Sequence, residues 1–366
     1  MAKQMKDYFP MIRTREEVQR EISKSLELQD LFDSWDEDRQ KEFLDFCSGI
    51  RGVKVLYDSF FKEIVSPEMH PDRLENLLTT FLKRKVKIVQ ILPNDSVRIA
   101  DESTLLITDI VVELEDGSIA NIEIQKIGYA FPGGRCACYS ADLLLRQYKR
   151  VKNKRKKNFS YKDIKTVYTI VLFEKSTSEF KQCKSHFIHH GRVIFDTELP
   201  LQIPQEYILI PLDIYKENMQ NKPIKSRQEA WLSFLTFDEP ERIIEIIQKY
   251  PDFKEMYDEI FWICQNTERV MEMFSKELLE MDRNTVQYMI EEQQAELDQR
   301  AKQLNQKEEQ LSQKDQQLNQ KDEQLNQKDA QLDQKDAQLN QKDQQLNQKD
   351  DEIAKLKKEL AKLRQA

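Results

Sequence analysis

From Ile290 to Leu360 every seventh residue is isoleucine or leucine, running Ile290, Leu297, Leu304 and on through Leu346, Ile353 and Leu360. Between Leu304 and Asp350 the unit is close to Leu-Asn-Gln-Lys-Asp-Gln-Gln, repeated almost verbatim. A seven-residue apolar period specifies a helix that winds left-handed around a partner helix. The same stretch cannot be a second globular domain. The last aromatic residue is Tyr288, the last proline Pro251, and the last of only seven glycines Gly191. Without turn formers or large core residues, 291–366 can fold only as a helix, so the compact body must lie before it.

The seam of that helix is thin. With leucine at one heptad core position, the other is occupied by Lys307, Lys314, Lys321 and their successors to Lys349. It becomes apolar only at Ile353, Leu356, Leu360 and Leu363. Fourteen basic and seventeen acidic residues over 291–366 nearly cancel, so the tail is no basic arm. It is either a homo-oligomerising coiled coil through 290–366 or an expanded low-complexity repeat.

The rest of the composition narrows the class. No run approaches the ~20 apolar residues that span a membrane, and the first ten residues lack the apolar core of a signal peptide. Five scattered cysteines (47, 136, 138, 183, 264) fit free thiols in a reducing compartment. The expectation is a cytoplasmic protein with no membrane contact. A net charge of −8 argues against binding nucleic acid through bulk positive charge but leaves room for a local basic site.

Along the body, residues 14–65 read as helices, and Pro71-Asp72 opens another through Leu82. Strand-like runs follow at 85–92, 104–114 and 118–125, then a helix over 134–150, a basic loop, and strands at 165–173, 192–196 and 206–214. From Ser226 everything is helical. The pattern is that of an α/β or α+β domain with an all-helical annex. The expected division is an N-terminal helical segment 1–50, a sheet-bearing domain 51–220, a helical annex 221–290 and the heptad repeat 291–366.

The informative stretch is 105–125, LLITDIVVELEDGSIANIEIQ. A two-residue Asp116-Gly117 turn would pair 115 with 118 and mix polar and apolar groups on both faces. A three-residue loop with Gly117 left-handed pairs 114 with 118. It puts Ile110, Val112, Leu114, Ala120, Ile122 and Ile124 on one face, and Asp109, Val111, Glu113, Asn121, Glu123 and Gln125 on the other. Burial selects the second register. It sets Asp109 against Glu123, with Gln125 next along. Two adjacent carboxylates repel unless a cation or proton intervenes, and Mg²⁺ favours such oxygen ligands. A solvated polar face on an edge hairpin is the ordinary alternative.

The spacing of Asp109, Glu123 and Gln125 resembles the D…E-x-K signature of the PD-(D/E)XK nuclease superfamily. More closely, the chain is similar to its recombination-promoting nuclease (Rpn) and transposase branch. The supporting residues are Asp58-x-Phe60-Phe61-Lys62, Glu123-Ile124-Gln125-Lys126-Ile127-Gly128-Tyr129, Arg135-x3-Tyr139-Ser140-Ala141-Asp142 and Arg146-Gln147-Tyr148, within roughly 50–290. The resemblance implies a mixed sheet flanked by helices and an endonuclease using Mg²⁺ or Mn²⁺ on DNA. Asp109 and Glu123 would hold the metal, with the carbonyl of Ile124 a further ligand. Gln125 stands where the superfamily usually has lysine and can orient water but supplies no charge. Lys126 should point to the opposite face. Glu75 is the candidate helix carboxylate, Asp72 its alternative.

Residues 149–157 hold seven basic residues in nine: Lys149, Arg150, Lys152, Lys154, Arg155, Lys156 and Lys157. Such a run can neutralise phosphates or be a solvated loop. Directly after the helix that follows the hairpin it reads as a DNA grip, with Arg135 and Arg146 as further contacts. Tyr139 and Tyr148 could equally be core residues. Cys183, His186, His189 and His190 contain zinc-ligand types, but their spacing matches no closed zinc pattern.

Overall fold

The computed structural model describes residues 5–92, 110–126, 132–197 and 199–363. The chain divides into two compact units, Met1–Glu292 and Gln293–Ala366. The first begins with helices α1 (Met5–Tyr8), α2 (Arg15–Ile22), α3 (Leu26–Asp33), α4 (Glu37–Cys47), α5 (Asp58–Ile64) and α6 (Pro71–Leu82). Strands β1 (Ile88–Ile91), β2 (Ile110–Leu114) and β3 (Ile119–Gln125) precede the helix α7 (Pro132–Arg155). Then come β4 (Val167–Phe173), α8 (Ser178–Lys181), β5 (His189–Arg192), β6 (Gln205–Pro211) and α9 (Leu212–Met219). Helices α10 (Arg227–Thr236), α11 (Pro240–Lys249) and α12 (Asp252–Ile263) follow, and α13 (Thr267–Leu363) serves both units.

Among the described residues, six strands form one mixed sheet in the order β1-β2-β3-β4-β6-β5. The β1-β2, β2-β3 and β5-β6 pairs are antiparallel, and β3-β4 and β4-β6 are parallel. Parallel central strands must be covered on both faces, and β4 is correspondingly a nearly continuous apolar run, VYTIVLF. One face of the sheet (Ile110, Val112, Ile122, Ile124, Ile170, Ile210) packs into the main core with α4–α6 and α10–α13. The other carries α7, whose Leu143 meets Val111, Ile119 and Val167. The main core is aromatic at its centre, where Phe274 meets Trp35 and Phe46 edge-on at 5.1 and 5.6 Å and Phe43 packs against Trp35 and Phe46 at 5.3 and 5.2 Å. Truncating one such buried ring typically costs about 3–5 kcal/mol.

Two readings along the body shift. The basic run is not a loop: α7 continues to Arg155, because lysine and arginine are good helix formers and cations suit a helix C-terminus. The strand expected at 192–196 lies at His189–Arg192 instead. An edge strand needs backbone partners more than apolar side chains, and His-His-Gly-Arg finds them along β6.

In the second unit, Leu297 to Leu346 stand 57–61% exposed along a single helix, an unbroken apolar row.

Candidate active site

The hairpin adopts the three-residue loop. Gly117 has φ +82°, its N–H donates to the Leu114 carbonyl at 2.8 Å, and Leu114 N–H donates to Ser118 at 2.9 Å. The pairs are 110 with 122, 111 with 121, 112 with 120 and 113 with 119. The turn is clamped from outside. Arg84 pairs with Asp116 at 2.9 Å, and Gln147 of α7 donates to the Gly117 carbonyl at 2.7 Å. Arg150 donates to that same carbonyl and forms an ion pair with Glu113. Asp109 lies outside the described residues, as do Gly128 and Tyr129.

On the face covered by α7, β3 presents a row of buried polar residues: Asn121 at 0%, Glu123 at 7% and Gln125 at 3% exposure. The Tyr139 hydroxyl is hydrogen-bonded to Glu123 and to Arg135. Burial, and next the charge of Glu123, push the tyrosine hydroxyl far above its ordinary range, so Tyr139 remains a neutral donor to the carboxylate. The same two causes push the Cys136 thiol up to about 11. Arg135, Cys136 and Tyr139 sit within one helical turn of each other, which is why one face of α7 delivers all three to Glu123.

Among the described residues, neither the oxygen nor the nitrogen of the Gln125 amide has a hydrogen-bond partner, and the same holds for Asn121 and for the Thr169 hydroxyl beside it in register. An unsatisfied buried polar group costs about 1–3 kcal/mol, and native proteins seldom tolerate several together without a use for them. On this face the described residues offer the Glu123 carboxylate and the Gln125 amide, both suited to a hydrated hard cation. Among the described residues no three His, Cys, Asp or Glu side chains stand close enough to hold a metal by themselves.

Ile124 points into the main core. Lys126 also leaves the polar face, and its ammonium forms a buried ion pair with Glu277 of α13, with Glu280 at 3.7 Å. Glu277 also accepts the N–H of Asp58 at 2.9 Å, the residue that opens α5 and pairs with Lys62 at 2.8 Å. One carboxylate thus ties the end of β3 to the start of the Asp58-x-Phe60-Phe61-Lys62 helix.

Glu75 is elsewhere. Its carboxylate accepts Ile88 N–H at 2.9 Å and pairs with Lys87 at 3.0 Å. Ile88 is opposite Leu114, beside the hairpin turn, so Glu75 and Glu123 mark opposite ends of the sheet. Asp72 is exposed in the first turn of α6. The basic residues divide as well. Arg146 is paired with Asp142 at 2.7 Å, and Arg150 is held by Glu113 with its pKa lowered by burial. Lys149, Lys152, Lys154, Arg155, Lys156 and Lys157 are exposed. Cys183 is exposed, and His186 Nδ1 lies 2.9 Å from the Ser185 hydroxyl.

Sequence reasoning missed Glu277, which is 151 positions from Lys126 and carries no local signal. The role of Tyr139 had one, since Arg135 and Tyr139 share a helix face at spacing four.

Residues 55–292 match a family model described as PD-(D/E)XK nuclease family transposase. The chain belongs to this family. The match takes in the Asp58 helix, the sheet, α7 and Glu277, and stops at Glu292, where the first compact unit stops. Residues 258–365 are also similar to the RNase Y N-terminal region, a likeness confined to α12, α13 and what joins them. No curated protein and no solved structure matches the chain. Among the described residues no helix is long and apolar enough to cross a membrane.

Proposed function

We propose that this PD-(D/E)XK family member is a divalent-metal-dependent DNA endonuclease of the recombination and mobile-element type. The reading rests chiefly on one observation: a buried carboxylate, Glu123, and an unpartnered buried amide, Gln125, side by side under Arg135 and Tyr139. The alternation of the sequence would set Asp109 against Glu123, which would complete a two-carboxylate site for Mg²⁺ or Mn²⁺. A cation held there would lower the pKa of water and offset charge on a phosphodiester.

The chain's own groups have distinct tasks. Glu123 and Asp109 hold the cation, and the Ile124 carbonyl is a further ligand in this reading. Tyr139, neutral at working pH, fixes the Glu123 carboxylate by donating to it. Gln125 offers its amide N–H to a phosphate oxygen or orients a water through its carbonyl. Arg135 stands where a guanidinium can take a phosphate. The exposed lysines of 149–157 neutralise flanking phosphates. Arg150 ties α7 to the hairpin through Glu113 and the Gly117 carbonyl, while Arg146 is held by Asp142 along α7 itself. The tail assembles copies of the chain in the cytoplasm.

The test is nicking of supercoiled plasmid with Mg²⁺ or Mn²⁺, comparing wild type with Asp109→Asn and Glu123→Gln. Cleavage by the wild type alone supports the reading, and equal cleavage by all three refutes it. A second reading, a weak or inactive nuclease fold that binds DNA as a scaffold, is favoured by the engagement of Lys126 with Glu277, which keeps it off the Gln125 face. It predicts DNA binding without cleavage and, by calorimetry, no Mn²⁺ binding that depends on Asp109 or Glu123.

A further inference from the structure

Between residues 149 and 165 the chain carries nine lysines and arginines against one carboxylate, Asp163. Basic residues at a helix C-terminus have an ordinary electrostatic explanation. Three aromatic rings among them do not. Tyr148 and Phe159 meet at 5.5 Å and 87°, Phe159 and Tyr161 at 5.3 Å and 70°, and Tyr148 lies nearly parallel to Tyr161 at 6.2 Å and 17°. The chain is turned back to make this cluster. Lys156 takes a left-handed φ of +48° at the end of α7, a conformation that costs a non-glycine residue about 1–2 kcal/mol. Short 3₁₀ turns over Lys156–Asn158 and Tyr161–Asp163 then return Phe159 and Tyr161 to Tyr148. Ser160 N–H donates to Asp163 at 3.0 Å and pins the turn that carries Tyr161.

Despite this bracing, Tyr161 is 74% exposed. A ring packed for stability would be covered, whereas this one is held from behind and open in front. Lys152 steadies Tyr148 by a 2.8 Å hydrogen bond to its hydroxyl, and Tyr161 lines a groove with Lys162, Lys165 and Arg192. A presented ring within a field of cations is the arrangement that binds unpaired nucleotides: every base has a π-face, and the duplex hides it.

We infer that Tyr161, braced by Tyr148 and Phe159, is a stacking platform for an unpaired DNA base, so that the substrate class includes DNA with a single-stranded stretch. This rests on the reading of 149–157 as a DNA-contacting segment. Tyr148 is nine residues beyond Tyr139, about 14 Å along the axis and on the opposite side of α7. Around a helix about 10 Å across, the path is about 20 Å, or about six nucleotides at 3.4 Å each. The platform therefore takes a flanking strand, not the nucleotide at Glu123.

The test is fluorescence anisotropy of the full chain in EDTA, with a labelled twenty-nucleotide oligo(dT), a duplex of equal length and oligo(rU). Tyr161→Ala should weaken oligo(dT) binding about 5- to 100-fold, the effect of one lost stacking contact, while duplex affinity changes less than about twofold. Tyr161→Trp should bind oligo(dT) as the wild type does, and the melting temperature of both variants should stay unchanged. Lys154→Glu with Lys157→Glu should weaken both DNA probes and flatten their salt dependence. If Tyr161→Ala binds oligo(dT) like the wild type while the charge reversals still weaken binding, the platform is wrong and the basic grip stands. If no variant changes any affinity, both fall. Tighter binding of oligo(rU) than oligo(dT) would overturn the assignment to DNA.

Discussion

Replacing Lys126 by alanine should strip Glu277 of its cation while leaving the carboxylate buried. The Lys126 and Glu277 side chains are 7% and 1% exposed, so solvent screens the interaction little. Burial already raises the Glu277 pKa, with Lys126 opposing that shift, so the carboxylate depends on its partner. Removing one member of a buried ion pair costs about 3–5 kcal/mol, because the other is left uncompensated. At about 2 °C per kcal/mol for a unit of this size, the first transition in calorimetry should fall by about 6–10 °C. Replacing both residues with apolar ones of similar volume, Lys126→Met with Glu277→Leu, should recover most of that loss. Nicking activity separates two roles for the lysine. If Lys126 were the missing catalytic cation, the double variant would fold and be inactive. If it only anchors β3 to α13 and the Asp58 helix, the double variant should regain activity with stability. A Lys126→Ala variant that loses less than about 1 kcal/mol would refute the reasoning.

Three further outcomes are expected. Gln125→Met should raise the melting temperature, by removing a buried amide whose unsatisfied state costs about 1–3 kcal/mol, and should abolish nicking. For Glu174, burial raises the folded-state pKa above the ordinary value of 4.5, against the pull of Lys54, Lys126 and Lys175. The folded form therefore holds the extra proton. Stability from this group is full below pH 4.5 and lost as pH rises through the folded value, so Glu174→Gln should gain on wild type in urea titrations from pH 5 to pH 8. Deleting residues 293–366 should leave the unfolding transition of the first unit unchanged and, by light scattering, reduce the particle to a monomer.

What was legible in the sequence was local. The Asp116-Gly117 turn and the alternation along 110–114 and 119–125, broken only by Val111 and Ile119, favour one register, and that register separates Ile124 from Glu123 and Gln125. Pro71 at a helix start and Ser226 before a helix are similarly readable. What was not legible depends on distance or competition. Nothing near Lys126 announces Glu277. Arg150 looks like one more cation in a basic run until the fold sets Glu113 beside it. Glu75 reads as a helix carboxylate near the site, but the unpaired Ile88 N–H of the β1 edge claims it. Val193 and Ile194 have strand-like composition, yet they are exposed and the ladder closes one residue earlier.

The near-identity of the tail's repeats has a consequence for information content. A partner helix lying on the row from Leu304 to Leu346 meets the same surface after every slip of seven residues, about 10.5 Å. Alignments differing by one heptad are thus nearly degenerate, each losing only a repeat's worth of contact. The distinctive positions, Ile353 and Leu356 at the far end, are the ones that can break the tie. The helix behaves less like a lock than like a rack whose teeth are all cut alike, with its index mark at one end.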